Sequence, residues 1–199
     1  MKKLHSSDLY CWSEFNEERN IDFNGTLWVN SLGNVLIDPV RLEEHDKNHL
    51  DSLGGAAHII ITNSDHVRDT EIISSLTGAK CWGPSEEKDG FPFECDAWLK
   101  EGDEPINGIK IYSLNGSKTK GELAILIESK TLVTGDLIRA HEGGKLCMLP
   151  DEKLKDRKLA LESVKRMASI KDIIAVIPGD GWPIFNNGHE ALLKIFKEI

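Results

Sequence analysis

Several of the residues that most often announce a function are scarce in this chain. Its 199 residues include only 4 cysteines, Cys11, Cys81, Cys95 and Cys147, widely spaced and without a C-x-x-C pair. That excludes a disulfide-stapled framework and a cysteine-rich zinc or redox motif, and the expectation is free thiols in a cytoplasmic protein. Aromatic residues make up 7% of the chain. The tryptophans Trp12, Trp28, Trp82, Trp98 and Trp182 form no stripe; Trp182, after Gly181, is expected to wall a pocket or pack in the core. Positive charge is in deficit, 24 Lys and Arg against 33 Asp and Glu, for a net charge of −9. Nucleic-acid binders need clustered cations to release counterions, so no nucleic-acid partner is expected. Long apolar runs are missing too. The best, Ile59–Ile61 and Ile173–Ile177, fall far short of the ~20 residues that cross a bilayer. The basic start Met1–Lys3 is not followed by the apolar segment of a signal peptide. No membrane partner is expected. A small-molecule substrate or ligand is left as the partner, of unknown identity.

What is present is the balance of a folded domain, 40% hydrophobic and 29% charged. A chain this long buries roughly 70% of its unfolded surface, and a single domain spanning 1–199 is expected. Strand signals come at Thr26–Val29 and Val35–Asp38, joined by a turn at Ser31–Asn34. A charged stretch, Leu42–Leu53, predicts an exposed helix ending at Gly54–Gly55. Ala57–Thr62 reads as a strand buried on both faces, Val67–Leu76 as a helix and Lys80–Trp82 as a strand. Gly83–Pro105 reads as loosely structured. Ile109–Leu114 predicts a strand, and Leu123–Ile127 with Thr131–Thr134 a hairpin. Glu152–Ala168 predicts an amphipathic helix with Leu154, Leu161, Val164 and Ala168 on one face. Asp172–Pro178 is a buried strand. A final helix follows, with Asn187 and Glu190 in a capping arrangement and Ala191, Leu192, Ile195, Phe196 and Ile199 as its stripe. Two successive halves, each of strands then helices, predict an α/β/β/α sandwich.

Polar residues directly after buried strands carry the chemistry in such an arrangement, because strand ends hold a side chain firmly yet leave it accessible. Four places qualify: Asn63–His66, Gly116–Gly121, Gly135–Asp136 and Gly179–Gly181. Two of the acids follow a glycine, which predicts a sharp turn close to a ligand.

The segments NVLIDP, ITNSDH, GSKTKGE, LVTGD and IPGDGW, in this order and spacing, resemble the metallo-β-lactamase fold superfamily over nearly the whole chain. The resemblance implies the four-layer fold and a metal-dependent hydrolase. ITNSDH stands where the family has T-H-x-H-x-D-H, GSKTKGE where it has G-H-T-P-G-S, and IPGDGW where it has P-G-H-G. The ligand positions differ accordingly. Ile61 and Asn63 replace two histidines, Lys118 a third and Asp180 a fourth, while Asp65, His66 and Asp136 match. One metal position of the usual pair therefore has no ligands left, and the two-metal mechanism is not expected.

The matched positions imply that Asp65, His66, Asp136 and Asp180 meet. Three carboxylates at one point raise each other's pKa, so a positive centre is needed. One option is a single divalent metal on these four residues, Mn²⁺ or Fe²⁺ by the hardness of the donors or Zn²⁺, with a bound water as nucleophile and Asp65 as general base. The other is internal: Lys118 takes the place of the metal with Arg68 assisting, as a metal-free binding module or with Lys118 as an acid/base group. Asp38 and Asn63, like Arg68, are assigned supporting roles around the ligands. Thr62 and Ser64 are expected to satisfy loop amides. His45 and His49 read as a solvated face, His58 as a satisfied structural histidine, His141 as a mobile loop residue and His189 as part of the last helix. The spacing G-x-x-x-x-G-K-[ST] is missing around Lys118, so no nucleotide site is expected.

Overall fold

The apolar residues sort into three buried layers that define the architecture. A computed structural model describes residues 1–6 and 8–197. In chain order its elements are β1 (Lys2–Lys3), β2 (Leu9–Asn16), β3 (Ile21–Trp28), β4 (Val35–Ile37), α1 (Glu44–Ser52), β5 (His58–Ile60), α2 (Thr70–Thr77), β6 (Lys80–Pro84), β7 (Ala97–Leu99), β8 (Ile109–Leu114), β9 (Glu122–Ile127), β10 (Thr131–Thr134), β11 (Ile138–Glu142), β12 (Lys145–Met148), α3 (Arg157–Ala168), β13 (Ala175–Pro178) and α4 (Gly188–Lys194). β1 to β7 form one sheet in sequence order, antiparallel as far as β4 and parallel from β4 to β7. β13, β10, β9 and β8 form a second, in which β10 and β13 run parallel. β11 and β12 make a separate hairpin.

Successive side chains of a strand face opposite ways, and this splits the core. Leu27, Leu36, Ile59 and Ile61 pack with Leu50 of α1 and Ile73 of α2. Their neighbours Trp28, Val35, Ile37 and Ile60 face the second sheet, against Ile109, Ile111, Ile125 and Ile177. On that sheet's far side Ala124, Leu126, Leu132 and Val176 lie beneath Val164 and Met167 of α3 and Leu192 of α4. The order helix, sheet, sheet, helix is the sandwich expected from the sequence. Burying one such Leu or Ile contributes about 1.5–3 kcal/mol, so three layers of them fix the sheet edges firmly.

The structure corrects several local expectations. No alternation marks β2 in the sequence, because it is buried at Leu9–Trp12 on both faces and exposed from Ser13 to Phe15; it pairs along the whole of β3, which starts at Ile21 rather than Thr26. β7 lies inside the stretch read as loose, and the β11–β12 hairpin carries His141 on a strand instead of a loop. The α3 helix begins at Arg157, since the Asp156 carboxylate accepts from the Leu159 amide and caps it there. Asn187 does not cap α4 with its side chain and instead takes φ +59°. In the final stripe Ala191, Leu192 and Ile195 are buried and Phe196 partly so, while Ile199 lies outside the described residues.

Candidate active site

Four strands deliver the site. β4 ends at Asp38, β5 leads into Thr62–His66, β10 into Asp136 and β13 into Asp180, while the β8–β9 loop brings Lys118. β4 and β5 are parallel neighbours, as are β10 and β13, so their C-terminal ends lie together. Backbone bonds join the two sheets at this edge, from Asn24 N to Gly179 O at 2.8 Å and from Leu123 N to Thr62 O at 2.8 Å. Gly135 and Gly179 are required for closeness, not for a turn: neither has a positive φ. A Cβ on Gly179 would stand 2.5 Å from His66 Cε1, and one on Gly135 2.8 Å from Asn63 Nδ2 and Thr62 Oγ1. The expected sharp bend is therefore replaced by tight packing against the site residues.

Asp38, at φ +47°, turns its carboxylate back under the loop after β5. It accepts from the Thr62 amide at 2.7 Å, the Thr62 hydroxyl at 2.6 Å and His66 Nδ1 at 2.7 Å. Thr62 thus holds Asp38 rather than a loop amide. This pins the imidazole so that Nε2 points at Asp136 Oδ2, 3.5 Å away, and Asp180 Oδ1, 4.0 Å away. Asn63 donates from Nδ2 to Asp136 Oδ2 at 3.1 Å and accepts from the Asp65 amide through Oδ1.

Three cations enter the cluster. The Lys118 ammonium bridges Asp65 Oδ2 at 2.7 Å and Asp136 Oδ2 at 2.9 Å. Arg68 Nη2 donates to Asp180 Oδ1 and to Gly179 O, both at 3.1 Å, and lies 3.3 Å from His66 Nε2. Its Nη1 donates to Asn24 O and Asp38 O, and the guanidinium lies over the Phe23 ring at 5.1 Å. Arg139 Nη2 reaches the other oxygen of Asp180 at 3.2 Å.

His66, Asp136 and Asp180 each offer a ligand atom, all within 4.8 Å of one another and all buried. Asp65 does not join them; its carboxylate is 55% exposed and meets the cluster only through Lys118. A pocket of about 360 Å³ opens onto Asp65, His66, Lys118, Asp136 and Asp180, overhung by Arg19 and Phe23 of the β2–β3 hairpin.

Electrostatics follow from these contacts. Burial and Arg68 oppose a charge on His66, but Asp38 and Asp136 outweigh them and raise it to about 9. Both Nη2 hydrogens of Arg68 are taken by Gly179 and Asp180, so His66 Nε2 is free to keep its own proton toward Asp136. Burial opposes the charge on Asp136 as well, yet His66 and Lys118 hold its carboxyl well below the usual range. Lys118 is raised: burial lowers it, and Asp136 and Asp65 more than compensate.

Glu122, Arg139 and Asn24 belong to the site and were not foreseen. Glu122 accepts from Ser117 Oγ at 2.5 Å and from the Leu137 amide at 2.8 Å, tying the Lys118 loop to the Asp136 loop. Burial and the neighbouring Asp136 push its carboxyl up to about 8. It opens an apolar strand, and a lone acid beside five apolar residues was the available signal. Arg139 lies on β11, in a hairpin for which the sequence carries no strand alternation. Of the other histidines, His141 on β11 is near enough for the charges of Arg139 and Asp180 to act on it, and the rest lie elsewhere. His45 is exposed beside Asp46, and His49 meets Tyr10 edge-on. His189 lies on α4. His58 stacks on Trp82 at 4.6 Å with Nδ1 buried and unpartnered, so it is not the satisfied histidine expected. Trp182 is 61% exposed and lines neither this pocket nor the core.

The donor set does not fit a metal pair. Ile61 is fully buried in the helix-side core and Lys118 is itself a cation on Asp136, so the second position lacks donors. One ion does fit His66, Asp136 and Asp180 by number and type of donor, provided Arg68 swings away from His66 and Asp180.

The four layers with an acid-rich cluster at their strand ends define the class, an α/β/β/α sandwich with its polar site at the sheet edge. The family model of the metallo-beta-lactamase superfamily matches residues 1–199, and the chain belongs to that family. Among solved structures it is similar to DIM-1 metallo-beta-lactamase, at 13% identity and TM-score 0.74 over 97% of this chain and 94% of that one. It is also similar to the metallo-beta-lactamase from Pontibacter korlensis, at 15% identity and TM-score 0.75 over 98% and 97%. TTHA1623, solved in a di-iron-bound form, aligns at 20% identity and TM-score 0.67 over 86% and 93%. No curated protein sequence matches the chain. Among the described residues no helix is long and apolar enough to cross a membrane.

Proposed function

We propose that the chain is a hydrolase of the metallo-beta-lactamase fold with a degenerate site for at most one divalent ion. The observation that carries this reading is the convergence of His66 Nε2, Asp136 and Asp180 beneath a pocket that also exposes Asp65 and Lys118. His66, Asp136 and Asp180 are the residues that would hold Mn²⁺, Fe²⁺ or Zn²⁺. Such an ion, when bound, lowers the pKa of water and polarises a substrate oxygen. The chain's own groups do the rest. Asp65, half in solvent, is placed to take a proton from a water entering the pocket. Lys118 pairs with Asp65 at 2.7 Å and presents its ammonium to an oxygen that gains charge or leaves. Asp38 and Asn63 orient His66 and Asp136. The fold hosts lactam, lactone, phosphoester and thioester hydrolysis, and loops choose among them. A panel of these four ester and amide classes tests the reading: turnover by the wild type, stimulated by Mn²⁺, Fe²⁺ or Zn²⁺ and lost in Asp65→Asn and His66→Ala, is expected. Absence of turnover on every class with each metal added would contradict it.

A second reading is favoured by the charge count of the cluster. His66, Arg68, Lys118 and Arg139 supply four positive charges against Asp38, Asp65, Asp136 and Asp180, so the site is neutral without an ion. In that reading the protein is a metal-free binding module in which Lys118 replaces the metal. Chelators then leave its melting temperature unchanged and added Mn²⁺ or Zn²⁺ does not raise it; a rise with metal excludes this alternative.

A further inference from the structure

Arg68 Nη2 stands against two of the three donors that a single ion would use, 3.3 Å from His66 Nε2 and 3.1 Å from Asp180 Oδ1. Its backbone is at φ +45°, a left-handed conformation that a long side chain seldom adopts and that glycine or asparagine adopts easily. Such a conformation persists only when the surroundings over-determine it, and here they do. Three backbone carbonyls, Asn24, Asp38 and Gly179, accept from the guanidinium, Asp180 pairs with it, and Phe23 covers its face. The side chain is only 10% exposed, so this is not a surface arginine that happened to fall inward. The carbonyls come from β3, from the end of β4 and from the end of β13, which means that both sheets contribute to the cradle.

We infer that Arg68 is a tethered cation that competes with a divalent ion for Asp180 and for the face of His66, and so sets how strongly this site takes up metal. The inference rests on the reading that one ion can sit at His66, Asp136 and Asp180, and adds to it the residue that controls loading. An ion at those donors and the guanidinium in its cradle exclude each other. The apparent affinity of the wild type is then the intrinsic affinity reduced by the fraction of molecules in which Arg68 has swung out. Phe23 and the three carbonyls do not bind the ion but favour the closed arrangement.

The test is calorimetric titration of Mn²⁺ and Zn²⁺ into the full-length wild type, Arg68→Gly and Arg68→Asn, with His66→Ala/Arg68→Gly as the site control. Gly and Asn both suit φ +45°, so if one variant folds poorly the other, checked by circular dichroism, keeps the measurement available. The expected result is a dissociation constant at least about tenfold lower in both variants than in the wild type, abolished in the double variant. Millimolar guanidinium is expected to raise the melting temperature of Arg68→Gly but not of the wild type, and to weaken its metal binding. Equal metal affinity in wild type and variants would overturn the competition while leaving a metal-binding site intact. No metal binding by any of the proteins would overturn the competition and the single-metal reading together.

Discussion

Both ends of the site pair an aspartate with cations, but in opposite settings. At the inner end, Asp180 and Arg139 are buried, Arg68 is 10% exposed, and Asp180 is clamped by two guanidinium groups. At the outer end, Lys118 and Asp65 form an ion pair whose carboxylate is largely in solvent. Charge pairs cut off from water are costly to break, because the surviving partner cannot be rehydrated, while pairs at the surface contribute little. The inner end therefore holds the fold together and the outer end is free to exchange protons and ligands. Asp136 joins them, sharing its Oδ2 between Asn63 and Lys118 with His66 Nε2 close by.

The sharpest way to break this comparison is Asp180→Ala. It leaves Arg139 and the largely enclosed Arg68 without their shared carboxylate, and a loss of about 3–5 kcal/mol is expected in chemical denaturation. If the loss were no larger than at the outer end, the contrast would fail. Next comes pH. His66, at about 9, and Glu122, at about 8, both stand above their unfolded values of about 6.5 and about 4.3. A raised pKa contributes stability that is complete below the unfolded value and is lost as pH rises through the folded one. Stability should fall by several kcal/mol between about pH 4.3 and about pH 9, the Glu122 part from about pH 4.3 to about pH 8 and the His66 part from about pH 6.5 to about pH 9, and Glu122→Gln should remove the former. A flat profile followed by melting temperature would show that His66 is not held protonated.

Lys118→Ala is expected to cost about 1–2 kcal/mol, since it strands Asp136 but leaves His66 and Asn63 beside it. The smallest effect belongs to Asp65→Asn, under about 1 kcal/mol by denaturation, because the exposed carboxylate gives up only a screened pair. A large destabilisation there would mean that Asp65 serves the scaffold instead of the pocket.

The residues that follow buried strands were legible in the sequence, and so was the order of layers, because continuous apolar runs such as Ile59–Ile61 and Leu123–Ile127 have few other uses. What was not legible was whatever long-range pairing decides. β2 carries no periodicity of its own and exists because β3 lies beside it over its full length. Arg139 is drawn in by Asp180 from a hairpin with no turn signature beyond Gly143–Gly144. Arg68 was recognisable as a nearby cation, but not as the group set against both His66 and Asp180. That depends on carbonyls of β3 and of the β13 end, far away along the chain.

Metal stoichiometry tests the central claim most directly. The protein is saturated with Mn²⁺ or Zn²⁺, freed of loosely held ions and counted by mass spectrometry against chain concentration. Lys118 on Asp136 and Ile61 in the core leave donors for no more than one ion, so at most one equivalent per chain is expected, held at His66 and lost in His66→Ala. Two equivalents, both sensitive to Asp136→Ala, would contradict the account.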